Sequence, residues 1–292
     1  MLERLNCKIC DGFAYFMGSR RGNYKKDTTF HYYSCPNCYF SFVGNPWLEF
    51  DKIYSHAYYN GKGADPYVDY FFELNHPEST IRKYEWKGLA KVINRFVSSK
   101  YTQYYLDYGC GSGGLVRYLS NNFYFKCFGF EEGSIASHFN DISLLSKVDL
   151  EKRKNTFDII TAIEVIEHVI DPLSFLKEIR SLLKLEGVFF FTTGNAKPWR
   201  GKITNWSYVS VPETHISFFE PSTLALALEK SGFKPEFQGF LPGFSDVIKF
   251  KVLKNLRYRS ESKLFDVLPW SMLSRLIDKK FKFSHHPIGI AI

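Results

Sequence analysis

The sequence lacks any apolar run long enough to span a membrane. Its first residues, Met1 to Asn6, also lack the basic and then apolar layout of a secretory signal peptide. It contains no internal repeat and no low-complexity segment. These absences predict a cytoplasmic protein, and 292 residues with 45% hydrophobic content are enough for one large domain and a small one.

The sequence also lacks a single block of like charge, although its net charge is +8. The basic residues fall into separate groups: Lys25 and Lys26, Lys152 to Lys154, and a broad stretch from Lys249 to Lys282. This balance suits an anionic partner such as nucleic acid, an anionic membrane surface or a phosphate-bearing substrate, and it equally suits an ordinary solvated surface. Charge alone does not separate these partners.

Residues 245–282 combine basic side chains with apolar ones at regular spacing. We interpret them as a helical insertion, an amphipathic helix pair that covers a substrate pocket. The alternative is peripheral membrane contact, in which this surface would bind anionic lipid beside a lipid-linked substrate. A failure to pellet with anionic liposomes would remove that alternative.

Four of the six cysteines form two C-x-x-C turns that are separated by 24 residues: Cys7, Cys10, Cys35 and Cys38. Two such turns supply the four thiolates of a tetrahedral metal site, and in a reducing compartment metal is favoured over disulfides. We therefore predict that residues 1–45 form a zinc ribbon around a structural Zn²⁺, with a hairpin over 13–33. The other two cysteines, Cys110 and Cys127, are interpreted as small core side chains.

The rest of the chain alternates between strand-like and helix-like segments. Residues 46–100 are interpreted as a connector or lid followed by a helix from Pro77 to about Val97. Beyond them, strands are expected near 102–107, 124–130, 142–147, 157–163, 187–193, 233–240 and 286–292. Helices are expected near 114–121, 133–139, 172–184 and 221–231. Such alternation predicts an α/β domain over 101–292, with a parallel sheet and helices on both of its faces.

The most informative segment joins the first of these strands to its helix. Asp107 ends the strand, and glycines follow at alternating positions 109, 111 and 113. They let the chain turn sharply and leave bare backbone at a helix N-terminus, where a bulky cofactor can lie. A carboxylate before the loop would repel a pyrophosphate but can accept a hydrogen bond from an ammonium group, which favours S-adenosylmethionine over a dinucleotide. Glu131, after the second strand, stands where a ribose hydroxyl pair would be held.

Residues from about 101 to 292 resemble the class I S-adenosylmethionine-dependent methyltransferases, in the subgroup of ubiquinone-biosynthesis O-methyltransferases and many sugar methyltransferases. The segments that carry the resemblance are Leu106 to Gly113, Phe128 to Glu131, Phe157 to His168 and Leu183 to Thr192. The resemblance implies a Rossmann-like, doubly wound α/β fold with a seven-stranded, mostly parallel sheet. This domain follows the zinc ribbon in the chain.

By this resemblance, the amino-acid end of the cofactor is surrounded by Asp107 and the glycine loop, and the ribose is bound by Glu131. The adenine is expected at the two residues after the third strand, and the methyl group near an acid after the fourth. The implied cofactor residues are Asp107, Gly109, Cys110, Gly111, Gly113, Glu131, Val148, Asp149 and Glu164.

The candidate catalytic residues are Glu164, Glu167 and His168 after the fourth strand and His215 after the fifth. An oxygen nucleophile needs a base or a cation to lose its proton. In one interpretation these residues bind a second divalent cation, since they resemble the E-x-x-E-H group of metal-dependent small-RNA 2′-O-methyltransferases and ubiquinone-type O-methyltransferases. In another, His168 or His215 is a metal-free base. In a third, Glu167 and His168 only cap a turn.

Weaker candidates for substrate contact lie in two other loops. They are Tyr58 and Tyr59 in the connector and Asn195, Trp199 and Arg200 after the fifth strand. For all of these we expect a packing role, because no chemical pattern joins them.

The sequence thus predicts a methyltransferase that acts on a small molecule or a glycan precursor by O- or C-methylation. Family members with an N-terminal four-cysteine module often modify nucleotide-linked sugars or surface polysaccharides. The alternative is an RNA methyltransferase that contacts nucleic acid through the ribbon. It is disfavoured because the ribbon lacks a dense Lys/Arg face and the chain lacks the Asn/Asp-Pro-Pro-aromatic motif. A non-catalytic binding module is a further alternative, against which the intact glycine loop argues.

Overall fold

The computed structural model describes residues 4–65, 69–96, 102–238, 243–261, 263–281 and 288–291. In these residues the strands are β1 (Arg4–Asn6), β2 (Phe13–Arg21), β3 (Thr29–Ser34), β4 (Ser41–Val43), β5 (Gln103–Tyr108), β6 (Phe125–Phe130), β7 (Leu144–Leu145), β8 (Phe157–Ile163), β9 (Leu183–Thr192), β10 (Ser217–Phe218), β11 (Pro235–Gln238) and β12 (Ile288–Ala291). The α-helices are α1 (Phe50–Ile53), α2 (His56–Tyr59), α3 (Tyr70–Asn75), α4 (Arg82–Ile93), α5 (Gly114–Asn122), α6 (Lys147–Glu151), α7 (Pro172–Leu182), α8 (Pro221–Lys230), α9 (Phe244–Asn255), α10 (Lys263–Asp266) and α11 (Trp270–Phe281).

The larger sheet has the strand order β11-β12-β9-β8-β5-β6-β7. Its five adjacent strands β9, β8, β5, β6 and β7 pair in parallel. The parallel part is therefore five strands wide and not seven, since β12 pairs antiparallel with both β9 and β11. Strand direction has no sequence signal of its own, because a buried strand is an apolar run in either orientation.

Both faces of this sheet are covered, as the alternation of strands and helices predicts. Successive side chains of a strand point to opposite faces. In β9, Phe189 and Phe191 pack into a core with α7 and α8, whereas Phe190 packs into a core with α4, α5 and α9. The result is a doubly wound α/β fold whose carboxyl strand ends lie at one edge.

The four-cysteine segment forms a second sheet, in the order β1-β2-β3-β4-β10. The predicted hairpin is confirmed, since β2 and β3 pair antiparallel. The last strand of this sheet comes from far along the chain: Ser217 pairs with Phe42, and Phe218 pairs with Ser41. The ribbon sheet is therefore completed by the loop that follows β9.

Several predicted elements change in extent. The helix expected from Pro77 begins at Arg82, and the one near 133–139 is a short 3₁₀ helix, Ser134–His138. The strand near 142–147 shrinks to Leu144–Leu145. Parts of the predictions over 46–100, 233–240, 245–282 and 286–292 lie outside the described residues.

Among its described residues, the segment after β11 contains three helices, α9, α10 and α11, rather than the predicted pair. Arg257 has a φ of 62° and stands just after α9. Pro269 stands just before α11, where its ring cannot continue a preceding helix. Helix α9 packs closely on α4, since a Cβ on Gly88 would lie 2.6 Å from the carbonyl oxygen of Gly243. No helix in the described part of the chain has both the length and the apolar character to cross a membrane.

Candidate functional site

The glycine loop turns sharply between β5 and α5. Gly109, Gly111 and Gly113 have φ angles of 78°, 56° and 71°, in the left-handed region that favours glycine. The space beside them is also occupied: a Cβ on Gly109 would lie 2.8 Å from Val165, and one on Gly111 would lie 2.9 Å from Tyr70. Backbone conformation and close neighbours therefore both exclude larger residues here.

Asp107 ends β5 beside this loop and is buried. Its Oδ1 accepts a 2.7 Å hydrogen bond from the hydroxyl of Thr161, which lies 2.6 Å from the hydroxyl of Tyr105. Burial raises the pKa of Asp107 to about 7, and the hydrogen bond from Thr161 opposes that change. Because Asp107 lines a cleft together with the glycine loop, a cationic group bound in the cleft would favour its ionised form.

Glu131 follows β6 and joins three segments. Its Oε1 accepts hydrogen bonds from the Tyr59 hydroxyl at 2.8 Å and the Gly133 amide at 3.1 Å, and its Oε2 accepts one from the Gly111 amide at 2.9 Å. Burial raises the pKa of Glu131, whereas these hydrogen bonds lower it. The structure thus brings Glu131 to the glycine loop, and its role as ribose ligand stays a prediction.

The cleft also contains an ion-pair group that the sequence analysis missed. Arg82, at the start of α4, donates to Glu73 at 2.9 Å and to Glu85 at 2.7 Å. Glu73 in turn accepts a 2.8 Å hydrogen bond from the Ser112 hydroxyl of the glycine loop. The signal in the sequence is an Arg and a Glu three residues apart on a helix, a pattern that is common on solvated surfaces.

Val148 and Asp149, the predicted adenine residues, lie in α6 and do not line this cleft. The Val148 side chain is 56% exposed. The Asp149 carboxylate accepts a 3.0 Å hydrogen bond from the Ser146 amide, and the Ser146 hydroxyl caps the helix. In this structure Asp149 therefore stabilises the start of α6.

Glu164 and Glu167 meet at one tyrosine hydroxyl. Glu164 follows β8 with a φ of 55°, which is uncommon for a residue other than glycine. The Tyr208 hydroxyl lies 3.1 Å from Glu164 Oε2 and also hydrogen-bonds Glu167 Oε1. Glu167 is fully buried and accepts a 2.8 Å hydrogen bond from Thr193. Burial, and then the charge of Glu164, raise the pKa of Glu167 to about 8, so Glu167 holds a proton at neutral pH.

His168 and His215 lie beside these carboxylates, with their ring centres 5.0 Å apart. The Nδ1 of His168 lies 3.1 Å from the Tyr54 hydroxyl. Burial, and then His215, lower the pKa of His168 to about 3. His215 Nδ1 lies 2.7 Å from the carbonyl oxygen of Tyr208, so this nitrogen carries the hydrogen and Nε2 carries the lone pair. Burial lowers the pKa of His215 as well.

Three of the four predicted catalytic residues could share a metal ion. Ligand atoms of Glu167, His168 and His215 all lie within 4.8 Å of one another. A carboxylate and two imidazoles are a donor set that suits a divalent transition metal. Glu164 stands outside this group, and its Oε1 lies 3.5 Å from the Lys251 ammonium.

Tyrosines of the connector contact both the glycine-loop region, at Glu131, and the histidine pair, at His168. Tyr54 reaches His168, and Tyr59 reaches Glu131. Between them Tyr58 packs edge-on against both rings, with ring centres 5.1 Å apart in each pair. Tyr58 and Tyr59 are buried, and the hydroxyl of Tyr59 has a polar contact that the sequence analysis did not predict.

Three of the weaker candidates make the packing contacts that we expected. Asn195 accepts a 2.9 Å hydrogen bond from the Lys197 amide. Arg200 donates to Glu220 at 2.7 Å, and its guanidinium lies 3.4 Å from the Tyr39 ring centre. The remaining residue, Trp199, stacks on Trp206.

The family follows from a comparison of the whole sequence with known proteins. A family described as "Methyltransferase domain" matches residues 81–236, which is more than half of the chain. The chain belongs to this family. It is an S-adenosylmethionine-dependent methyltransferase, and the matched residues include the glycine loop, Glu131, Glu164, Glu167, His168 and His215.

Similar proteins include methyltransferases with different acceptors. A ubiquinone biosynthesis O-methyltransferase of Histophilus somni is 46% identical over 55 residues, 18% of this chain and 23% of that protein. A tRNA U34 carboxymethyltransferase of Campylobacter jejuni is 27% identical over 171 residues, 53% of this chain and 57% of that protein. The chain therefore spans less than two thirds of the length of these relatives.

A solved structure supports the fold. Phosphoethanolamine N-methyltransferase 2 of Haemonchus contortus, in complex with phosphomonomethylethanolamine and S-adenosylhomocysteine, is 16% identical, with a TM-score of 0.51. The match covers 99% of this chain and 70% of that one. At this identity the likeness shows the α/β fold alone.

The four cysteines of this methyltransferase form a cluster. Cys7 Sγ lies 3.5 Å from Cys38 Sγ, and Cys10 Sγ lies 3.4 Å from Cys35 Sγ. All four Sγ atoms lie within 4.8 Å of one another, which fits the sulfur set of a zinc site. Cys110 and Cys127 are buried in the α/β core instead, as predicted.

The ribbon sheet also contacts the loop that carries His215. The Val43 amide donates to the Ile216 carbonyl oxygen at 2.9 Å, and the Ile216 amide donates to the Glu167 carbonyl oxygen at 2.9 Å. Glu213 Oε1 accepts hydrogen bonds from the amides of Tyr24 at 2.9 Å and Lys25 at 3.0 Å. The ribbon thus supports the loop that carries His215, next to His168.

Proposed function

We propose that this methyltransferase transfers the methyl group of S-adenosylmethionine to a hydroxyl oxygen of a small molecule or glycan precursor, with His215 as the base. The observation that supports this most directly is the hydrogen bond from His215 Nδ1 to the Tyr208 carbonyl oxygen, which leaves Nε2 able to accept a proton. The Nδ1 of His168 lies against the Tyr54 hydroxyl, which favours a positioning role for that residue.

The cofactor would lie along the glycine loop. Asp107 would accept a hydrogen bond from the ammonium group of the methionine end, and Glu131 would bind the ribose hydroxyls. Arg82, although already paired with Glu73 and Glu85, would add a hydrogen bond to the cofactor carboxylate, because it lines the same cleft as Asp107 and Gly111. Val148 and Asp149 remain candidates for the adenine. Asp149 would then have to bind the adenine while its carboxylate still caps α6.

The transfer itself needs alignment and one proton acceptor. The acceptor oxygen attacks the methyl carbon while the carbon–sulfur bond breaks, and the sulfur leaves as neutral S-adenosylhomocysteine. The hydroxyl proton passes to His215 Nε2. The lowered pKa that burial gives His215 keeps the ring neutral at physiological pH, so that its Nε2 can accept a proton.

A divalent cation is the competing route to the same product. Glu167, His168 and His215 would hold it, with Glu164 nearby, and it would lower the pKa of a bound hydroxyl group. Treatment with a chelator separates the two routes. If the chelator abolishes turnover and magnesium or manganese restores it, the cation route is supported. If turnover is unchanged, His215 as a metal-free base is supported.

We also propose that the four-cysteine cluster binds a structural Zn²⁺. The sulfur set suits zinc, and so small a module gains much of its stability from a bound metal. A native mass spectrum would test both cofactors at once. We expect one zinc per chain, and one further adduct after S-adenosylhomocysteine is added.

The acceptor class can be tested by methyl transfer from radiolabelled S-adenosylmethionine. We would compare pools of nucleotide-linked sugars, lipid-linked glycan precursors and phenolic small molecules with total tRNA. Label in a small-molecule or glycan pool, lost in His215→Gln but kept in the exposed control His76→Gln, would support the proposal. Label in tRNA alone would favour RNA methylation, which the Campylobacter jejuni relative brings into consideration.

A further inference from the structure

Helix α9 brings two lysines to the edge of the proposed reaction site. It is seated on α4, where Arg82 lies 4.6 Å from the ring centre of Phe250. Lys251 and Lys254 stand three residues apart, so they share one face of α9. The Lys251 ammonium reaches Glu164 Oε1 at 3.5 Å, which places this face beside the catalytic carboxylates.

The two lysines differ from the third lysine of this helix in their partners. Lys249 forms a 2.5 Å ion pair with Asp266, on the side of α9 away from the site. Lys251 has Glu164 as its partner. The side chain of Lys254 forms no hydrogen bond and no ion pair of 4.0 Å or less with any residue that the structure describes.

Several charged groups of the reaction site interact with Lys254. They are Arg82, Asp65, Glu85 and Glu164, and the charge of Lys254 also acts on His215. Burial is the main influence on Lys254 and lowers its pKa. A half-buried ammonium without a close partner is unfavourable, and an anionic ligand would compensate for its loss of solvation.

The guanidinium of Arg82, which lines the cleft, already has carboxylate partners. Arg82 has two carboxylates at 2.9 and 2.7 Å. The cofactor adds a sulfonium and an ammonium against one carboxylate, so its binding makes the cleft more positive. An anionic group of the acceptor could therefore pair with the Lys254 ammonium.

We propose that Lys254, with Lys251 beside it, binds an anionic group of the acceptor, a phosphate or a carboxylate, close to the hydroxyl that is methylated. This inference rests on the proposed function and narrows its substrate class: the acceptor is a negatively charged molecule. Lys254 acts as a specificity residue, and the proton transfer remains with His215.

The test uses the full chain saturated with S-adenosylhomocysteine, so that Arg82 and the cofactor site are already filled. Pyrophosphate and malonate are titrated separately at constant ionic strength, and binding is measured by calorimetry. The variants are Lys254→Met, Lys254→Arg and, as a charge-matched control, Lys87→Met at an exposed position of α4. Affinity for S-adenosylhomocysteine is measured for each variant, which also verifies its folding.

We expect at least one anion to bind to the wild type, and Lys254→Met to weaken it by about tenfold or more, as loss of a charged hydrogen bond would. Lys254→Arg and Lys87→Met should stay within about threefold. Preference for pyrophosphate would indicate a phosphorylated acceptor, and preference for malonate a carboxylated one. The inference is overturned if neither anion binds, or if Lys254→Met leaves binding unchanged.

It is also overturned if Lys254→Met weakens the cofactor product by the same factor, since Lys254 would then bind the methionine carboxylate. Failure of the proposed function looks different. In that case methyl transfer would persist in His215→Gln, or the label would appear in tRNA alone, whatever the anions do.

Discussion

Loss of the Zn²⁺ that we propose for the four-cysteine cluster should loosen the loop that carries His215 while it leaves the cofactor site intact. The perturbation is Cys35→Ser, which removes one thiolate of the cluster at a fully buried position. Cys127→Ser in β6 is the matched control, because it makes the same substitution in the α/β core. Zinc content measured by mass spectrometry verifies that only the first variant loses metal.

The size of the effect can be worked out from the contacts between ribbon and loop. Besides the pairing of β4 with β10, four hydrogen bonds join the ribbon to residues 209–216: the amide of Val43 to Ile216, the amides of Tyr24 and Lys25 to Glu213, and the hydroxyl of Tyr32 to Val209. At a net 0.5–1.5 kcal/mol each, they contribute about 2–6 kcal/mol to closure of the loop. Their loss corresponds to a fall in hydrogen-exchange protection of roughly 30-fold or more.

The assay is hydrogen exchange followed by mass spectrometry, with calorimetry for S-adenosylhomocysteine. Peptides over 207–219 should lose protection in Cys35→Ser, whereas peptides over 103–115 should stay within about twofold. The dissociation constant of the cofactor product should also stay within about twofold. Equal loss of protection in both segments would refute the reasoning, because the ribbon would then support the whole fold. Unchanged protection over 207–219 would refute it too.

Three further predictions concern the carboxylates and histidines of the site. Glu131→Gln should weaken S-adenosylhomocysteine binding about ten- to a hundredfold in calorimetry, since charged hydrogen bonds contribute roughly 1.5–3 kcal/mol, and the exposed neighbour Glu132→Gln should change it less than twofold. His215→Gln should lower kcat about 10²- to 10⁴-fold with an unchanged KM for the cofactor, whereas His168→Gln should act mainly by lowering the melting temperature. Burial raises the pKa of Glu167 to about 8, so the stability that this carboxyl contributes is full below its unfolded pKa and is lost as pH rises through about 8. Glu167→Gln should therefore gain melting temperature relative to wild type between pH 6 and 9 in metal-free buffer, and a constant difference would contradict this.

Local sequence signals predicted the frame of the site well. The glycine loop has to turn at three positive φ angles, and glycines at those positions are visible in the sequence. Glu164, Glu167 and His168 stand together in the chain, so their common location after β8 follows from one strand end. The side chains of β9 alternate between the two cores of the sheet, and this too follows from the two-residue period of a strand.

The residues that the sequence did not predict reach the site from distant elements. Arg82 and Lys254 belong to helices, where Lys and Arg more often face solvent. Tyr59 and Tyr208 are two among many aromatic residues, and their hydroxyl contacts depend on how separate segments pack. The addition of β10 to the ribbon sheet has no signal either, because a two-residue strand is too short to show a period.

The carboxylate pair explains why a base and a cation are alternatives at one site rather than at two. The hydroxyl of Tyr208 has a single hydrogen, yet it contacts both Glu164 and Glu167. Two ionised carboxylates at this distance would repel each other in a buried setting, so a positive charge or a proton has to lie between them. Without a metal, the proton on Glu167 would meet that need and would leave the proposed base function to His215. A divalent cation, which Glu167, His168 and His215 would hold, would favour the ionised form of Glu167 and would engage the lone pair of His215. The same two residues therefore exchange roles according to what occupies the space beside them.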